Sequence, residues 1–264
     1  SESDANVALC CVGDSLLSDF KFRLGSTNSK LHILSVNELL LSENRFDRII
    51  IDESQDLDWT DWDKITTKLM DSKSKLVCFM DSNQAIYRLA ADLESRLGAR
   101  RITLRVNLRN TRKIADVINH LYEGPTPQSF GLDGIAPIFT KVSTHDEATE
   151  KICAEILKLN KIEGVDFSSI AILSENKDFL RRLERSLNSV GVFHNTAKFR
   201  GLNILTLDTV LNFKGLESPF VIVYSDSDAS NSKALSYVST SRARTYLHVY
   251  GNESNTIISK AIEK

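Results

Sequence analysis

Short apolar runs of strand length alternate with longer amphipathic stretches along the whole chain, and that alternation limits the fold more than any other feature. The runs are Val7 to Val12, Leu31 to Val36, Arg48 to Ile51 and Leu76 to Met80, then Ile102 to Leu104, Ile138 to Val142, Ser169 to Leu173, Asn203 to Leu207, Phe220 to Tyr224 and Tyr246 to Tyr250. Several are apolar throughout, as strands covered on both faces must be. Strands that alternate with helices require right-handed βαβ crossovers and a parallel sheet, so the expected class is α/β. At 264 residues the chain has length for two compact domains. A boundary is expected near residue 100, after an amphipathic helix from Tyr87 to Leu97 and before the strand at Ile102, which gives domains 1–100 and 101–264. The turn-rich Gly124-Pro125-Thr126-Pro127 reads as an internal loop, because a helix from Thr111 to Tyr122 continues the second domain.

Composition narrows the partners. Hydrophobic residues are 42% and charged residues 26%, the balance of an ordinary soluble protein, and the formal charge is -2. Any polyanion must therefore bind a local patch. Basic residues cluster at Arg96, Arg100, Arg101 and Arg105, at Arg181, Arg182 and Arg185, and at Lys198 and Arg200; the middle group reads as a solvated helix face. The four cysteines show no paired C-x-x-C spacing, which favours reduced core thiols in a cytosolic setting. No apolar segment approaches the roughly 18 residues of a membrane span, and the polar start is no signal peptide, so a cytoplasmic protein without a membrane partner is expected.

The sharpest motif is Phe46-Asp47-Arg48-Ile49-Ile50-Ile51-Asp52-Glu53-Ser54-Gln55-Asp56. A buried strand ends in two adjacent carboxylates at the edge where open parallel sheets bind ligands. Asp52 can hold a hydrated Mg2+, and Glu53 can orient or deprotonate the water that attacks a phosphoryl group. The competing reading is an acidic turn whose carboxylates cap the next helix. A second strand ends in Asp81-Ser82-Asn83-Gln84-Ala85-Ile86-Tyr87-Arg88, where Gln84 can sense a γ-phosphate or its water. In Leu104-Arg105-Val106-Asn107-Leu108-Arg109-Asn110-Thr111, Arg109 lies between a strand and a helix with Asn110 or Thr111 as its N-cap. Tyr237-Val238-Ser239-Thr240-Ser241-Arg242-Ala243-Arg244 offers Arg242 as a second arginine able to neutralise phosphate charge, although a lone arginine is more often a surface ion pair. Thr206 to Glu217 leads into a strand through Lys214-Gly215-Leu216-Glu217, where Gly215 permits close backbone approach to a ligand; an ordinary glycine turn is the alternative.

Taken in order, these segments resemble the motifs of superfamily 1 helicases of the UvrD/Rep type. Asp52-Glu53-Ser54-Gln55 resembles D-E-x-Q, Asp81 to Arg88 resembles D-x-x-Q-x-I-Y, and Asn107-Leu108-Arg109 resembles N-Y-R. Lys214-Gly215-Leu216-Glu217 resembles K-G-L-E, Tyr237 to Ala243 resembles Y-V-A-x-T-R-A, and Ser169 to Arg185 resembles the strand and helix of an A-I-L segment. The resemblance runs from about residue 7 to 250 and is nearest to compact helicase modules found with nuclease-related domains. It implies two RecA-like domains with parallel sheets: a partial domain 1A over 1–100, incomplete at its N-terminus, and a domain 2A over 101–264. It further implies ATP and Mg2+ as cofactors, single-stranded or partly duplex DNA as partner, and 3'-to-5' movement. By the same resemblance Asp52 and Glu53 serve magnesium and water, Gln84 is the γ-phosphate sensor, and Arg109 and Arg242 are fingers. Arg88, Gly215 and Glu217 belong to nucleotide binding, with Glu217 at the ribose, while Thr209 and Lys214 belong to DNA binding.

The departures are as informative. No G-x-x-x-x-G-K-[ST] loop exists in the chain, so the phosphate-binding loop is expected from an upstream segment removed by truncation, or from a fused or partner domain, and this chain alone is not expected to hydrolyse ATP. Leu108 stands for a tyrosine that stacks on adenine, Leu211 for a histidine, and Leu89 for a tryptophan that stacks on a base. Val192 to Asn203 leaves no room for a large accessory subdomain. Two other functions remain in play: a helicase-like binding module without catalysis, and a metal-dependent nuclease built on Asp52, Glu53 and Asp81.

Overall fold

The structure is a computed structural model that describes residues 5–25, 29–69, 73–84, 97–226, 232–251 and 257–263. It divides into two compact units, Ser1–Ile102 and Thr103–Lys264. The helix expected over 87–97 falls, apart from Leu97, outside the described residues, as do Arg88, Leu89 and Arg96.

In the first unit β1 (Val7–Cys11), α1 (Asp14–Leu24), β2 (Leu31–Ser35), α2 (Val36–Leu41), β3 (Arg48–Asp52), α3 (Trp59–Lys64) and β4 (Lys75–Cys78) follow one another. The strands form a four-stranded parallel sheet in the order β2-β1-β3-β4. Alternate residues of the central strands are fully buried, Ala8 and Cys10 on one and Ile49 and Ile51 on the other, and they pack with Leu39, Phe46, Trp62 and Ile65. The change from strand to helix at Ser35 is set locally. Its hydroxyl accepts from the Glu38 amide at 3.1 Å while the Glu38 carboxylate accepts from the Ser35 amide at 2.6 Å, a reciprocal cap of the first helical turn. Burial, aided in Cys11 by the neighbouring Asp52 charge, pushes the Cys10 and Cys11 thiols up to about 12.

The second unit contains β5 (Val106–Asn107), α4 (Arg112–Leu121), β6 (Gln128–Ser129), β7 (Ile138–Lys141), α5 (His145–Lys161), β8 (Ile170–Leu173), α6 (Lys177–Ser189), β9 (His194–Asn195), β10 (Leu205–Asp208), β11 (Ser218–Ser225), α7 (Lys233–Ser241), β12 (Ala243–Gly251) and α8 (Ile257–Ile262). Six of the strands make a parallel sheet in the order β7-β12-β11-β8-β10-β9, and β5 pairs with β6 in a parallel pair. β8 and β10 are buried at every residue, the signature of strands covered on both faces. Ile152 and Ile156 of α5 and Phe179, Leu183 and Leu187 of α6 form one cover.

Two expectations change. The strand placed at Ile102 to Leu104 lies instead at Val106–Asn107, and Ile102 and Leu104 remain 79% and 81% exposed. An apolar triplet forms a strand only where a neighbour accepts its hydrogen bonds, and here the partner β6 aligns with residues 106 and 107. The run Leu76 to Met80 is not covered on both faces: its strand ends at Cys78, it borders the sheet, and Val77, Phe79 and Met80 are exposed.

A polar network pins α5 to β12. Glu155 accepts hydrogen bonds from Tyr246 Oη and Tyr250 Oη at 2.6 Å each, and its Oε1 lies 2.7 Å from His248 Nδ1, while His248 Nε2 is 2.8 Å from Thr140 Oγ1. Burial alone raises the Glu155 carboxyl, but the hydrogen bond and charge of His248 and the two hydroxyls outweigh it and hold the group below its ordinary 4.5. A lowered native value means stability that is present above 4.5 and lost as pH falls below it. Glu155→Gln is expected to cost about 2 to 4 kcal/mol at neutral pH. Urea unfolding of both proteins should show that deficit shrinking under acid conditions, where the native carboxylate is itself protonated.

Candidate active site

In the first unit, parallel pairing sets Cys11 opposite Asp52 and Ile51 opposite Cys78, so β1, β3 and β4 end together at one edge of the sheet. Directly after β3, Glu53 adopts the left-handed conformation with φ 54° and ψ 35°. A residue with a Cβ pays about 1 to 2 kcal/mol for that conformation, so the surroundings must hold it. They do so through Gln55. Its amide donates to Glu53 Oε2 at 2.5 Å, and its Oε1 accepts from the Asp81 amide at 3.1 Å. Ser54 donates from both its amide and its hydroxyl to the Phe79 carbonyl, at 3.0 and 2.9 Å. Asp81 in turn accepts from Asn83 N and Gln84 Nε2, each at 2.9 Å. Glu53, Asp81 and Gln84 are thus joined through Gln55, Asp52 accepts from the Glu53 amide at 2.9 Å, and Ser54, Gln55 and Gln84 are buried.

Asp52 can supply a carboxylate to a hydrated Mg2+. That ion keeps several waters and takes one or two carboxylates, so Asp52 at a strand end suffices where an all-protein cage is unnecessary. Among the described residues no group of three His, Cys, Asp or Glu side chains is arranged around a common point.

In the second unit three segments distant in sequence are laced together. Asn107 Oδ1 accepts from the Arg109 and Asn110 amides at 3.0 and 3.2 Å, and its Nδ2 donates to Asn110 Oδ1 at 2.9 Å. Asn110, 4% exposed, donates from Nδ2 to the carbonyls of Ser241 and Ala243. It is a bridge between segments and not the helix cap; Thr111 holds that position. Arg109 Nε lies 2.8 Å from Glu217 Oε2, and Arg244 lies 3.6 Å from Glu217 Oε1. Glu217, placed at a ribose by resemblance, here pairs two arginines in a half-exposed position where such pairs contribute only about 0 to 1 kcal/mol and exchange readily.

Arg242 is placed differently from a reaching finger. It is fully buried, donating to the carbonyls of Val238 and Leu216 at 3.0 and 3.2 Å and to Ser241 Oγ at 2.9 Å. Its guanidinium ties the last turn of α7 to the Lys214-to-Glu217 turn. Gly215, at φ 81°, occupies a conformation that strains any residue with a side chain. Thr209 closes the same turn: its hydroxyl accepts from the Asn212 amide at 3.1 Å, and Lys214 follows on a half-buried step.

Two carboxylates in this region were not expected from sequence. Asp208 accepts from Thr209 N, Asn212 Nδ2 and Ala197 N, and Glu175 accepts from Leu211 N at 3.0 Å. Burial raises the Glu175 carboxyl against the opposing pull of the Leu211 and Val210 amides. Acidic residues at the C-terminal ends of β8 and β10 were the available signal, and neither belongs to a recognisable motif.

Residues 17–95 match the family model described as the UvrD/REP helicase N-terminal domain. The first unit is UvrD/REP-like. No curated protein matches the chain. Among solved structures the PRRSV helicase aligns over 94% of this chain and 47% of its own at 13% identity with a TM-score of 0.54. The chain thus spans about half the length of that relative, and the likeness is one of fold: α/β with parallel sheets, of the RecA-like class. The C-terminal domain of a possible DNA helicase from Lactobacillus plantarum WCFS1 aligns over 58% of this chain and 92% of its own at 18% identity and a TM-score of 0.46. Among the described residues no helix is long and apolar enough to cross a membrane.

Because Asn110 fastens the segment around Arg109 to the segment around Arg242, Asn110→Ala leaves two backbone carbonyls short of a donor. It is expected to cost about 2 to 4 kcal/mol in chemical unfolding of the second unit. Exposed Arg109→Ala should shift the same midpoint by no more than about 1 kcal/mol.

Proposed function

We propose that this chain is the motor portion of an ATP-dependent DNA helicase or translocase, working with ATP and Mg2+ on single-stranded or partly duplex DNA in the cytoplasm and moving 3' to 5'. The observation that carries the reading is the Glu53 cluster: a strained glutamate tied through Gln55 to the Asp81–Gln84 turn, inside a UvrD/REP-like segment. Glu53 is the base that orients and deprotonates the attacking water, Asp52 carries the magnesium ion, and Gln84 reports the γ-phosphate to the turn it shares with Asp81. Gln55 holds Glu53 to one orientation through the reaction, which limits the reorganisation that proton transfer demands.

The first unit takes the part of domain 1A and the second of domain 2A. In the second, Arg109 is the finger, and the weak Glu217 pair releases it when phosphate charge is offered. Arg242 joins it only by giving up its carbonyl partners, and Gly215, Glu217 and Arg88 serve the nucleotide. Thr209 and Lys214 contact DNA. The 264 residues contain no G-x-x-x-x-G-K-[ST] sequence, and we place the phosphate-binding loop in a further segment of the complete protein or in a partner.

The test is hydrolysis of ATP by the complete protein, with and without single-stranded DNA. DNA-stimulated turnover is expected, and Glu53→Gln should lower kcat by at least about 100-fold while nucleotide binding, measured by calorimetry, stays within a few fold. Full biological activity of the Glu53→Gln protein would instead identify a helicase-like binding module.

A further inference from the structure

The stretch from Phe193, just before β9, through the connection to β10 exposes apolar surface that the fold does not use. Phe193, Phe199 and Leu202 are 75%, 59% and 93% exposed, well beyond what a short connection needs. Charge singles out a partner for this surface. From Val192 to Leu207 there is no Asp or Glu, while Lys198 and Arg200 flank Phe199 directly. An exposed aromatic ring between two cations is the chemistry that grips single-stranded nucleic acid, with the ring stacking on a base and the cations meeting phosphates.

The position of the segment adds a second, independent argument. The single turn of helix Ala197–Phe199 is anchored where the Ala197 amide donates to Asp208 Oδ2 at 2.7 Å. The other oxygen of that carboxylate accepts from Thr209 N and Asn212 Nδ2, at 2.8 and 2.9 Å. One buried side chain therefore orients both the Phe199 turn and the Thr209–Lys214 turn. Arg200 sits over the Phe213 ring, 5.6 Å from its centroid, which fixes its guanidinium beside the same turn. The two turns are carried on a common support, as a preorganised contact requires.

We infer that Phe199, flanked by Lys198 and Arg200, is a base-stacking platform for single-stranded DNA that extends the contact surface of the Thr209–Lys214 turn. The inference rests on the DNA-motor reading and deepens it by supplying base stacking in a chain that has Leu89 where a base-stacking tryptophan is expected. Leu202, on the same connection, and Phe193, just before β9, provide further apolar surface. The cations give affinity without sequence preference, because every base presents a π-face.

The experiment measures binding of a fluorescent oligo-dT to this chain by anisotropy at several salt concentrations, alongside ATP hydrolysis by the complete protein. Phe199→Ala should weaken binding by about 5- to 100-fold without altering the salt slope, while Phe199→Tyr, which keeps the ring, should stay within a few fold of wild type. Lys198→Ala should instead reduce the magnitude of the salt slope by about 0.7. Photo-crosslinking with 5-iodouracil in the oligonucleotide should label the peptide that contains Phe199. Since Phe199 is 59% exposed, its replacement should leave thermal unfolding unchanged, which separates lost stacking from lost structure. Equal binding by the Phe199→Ala and wild-type proteins, or no binding of oligo-dT by the chain, overturns the platform. DNA-stimulated hydrolysis by the complete protein would still stand in either case, so failure of the platform and failure of the motor reading are told apart.

Discussion

Parallel strands share one direction, so their C-terminal ends meet along one edge, and whatever chemistry the chain carries is gathered there. In the first unit that edge brings the loop after β3 against the loop after β4 through Ser54 and the Phe79 carbonyl. Glu53 can hold a left-handed backbone only because those two loops are tied by Gln55 and Ser54. Carboxylates at positions 52, 53 and 81 come to the same edge because the sheet is parallel. An antiparallel neighbour would have sent the Asp81 loop to the opposite edge.

The second unit solves a harder version of the same problem, since the segment around Arg109 lies more than a hundred residues from the segments around Glu217 and Arg242. Buried polar side chains do the joining. Asn110 reaches the carbonyls on either side of Arg242, and Arg242 reaches the carbonyl of Leu216, so the segments bearing Arg109, Glu217 and Arg242 share hydrogen bonds. Groups buried this deeply are costly to leave unpaired, which makes the arrangement rigid. The exposed charges riding on it, Arg109, Arg244 and Glu217, are held only by ion pairs that exchange readily.

Much of this was legible in advance. The period of the apolar runs and their lengths announce an α/β chain, and the I-I-I-D-E run places carboxylates at a strand end, because burial on both faces demands continuous apolar residues whatever the rest of the chain does. Ile102 to Leu104 shows the limit. Three residues with strand propensity remain exposed because the pairing partner, β6, aligns four residues further on, and propensity carries no information about partners. Gln55 and Asn110 look like ordinary turn residues until the segments they bridge are seen side by side. Asp208 and Glu175 belong to no motif, and only the three amide donors converging on Asp208 reveal its role.

The sequence by itself determined the α/β class and the order of the motif-like segments, since these follow from side-chain chemistry and local period. Tertiary structure alone decided which of their charged groups are exposed and which are enclosed. Arg109 and Arg242 read alike in the chain, each an arginine after a strand or helix with small polar neighbours. The fold leaves Arg109 half exposed beside Glu217 and encloses Arg242 among backbone carbonyls. Burial depends on what the rest of the chain packs around a residue, and no local pattern encodes that.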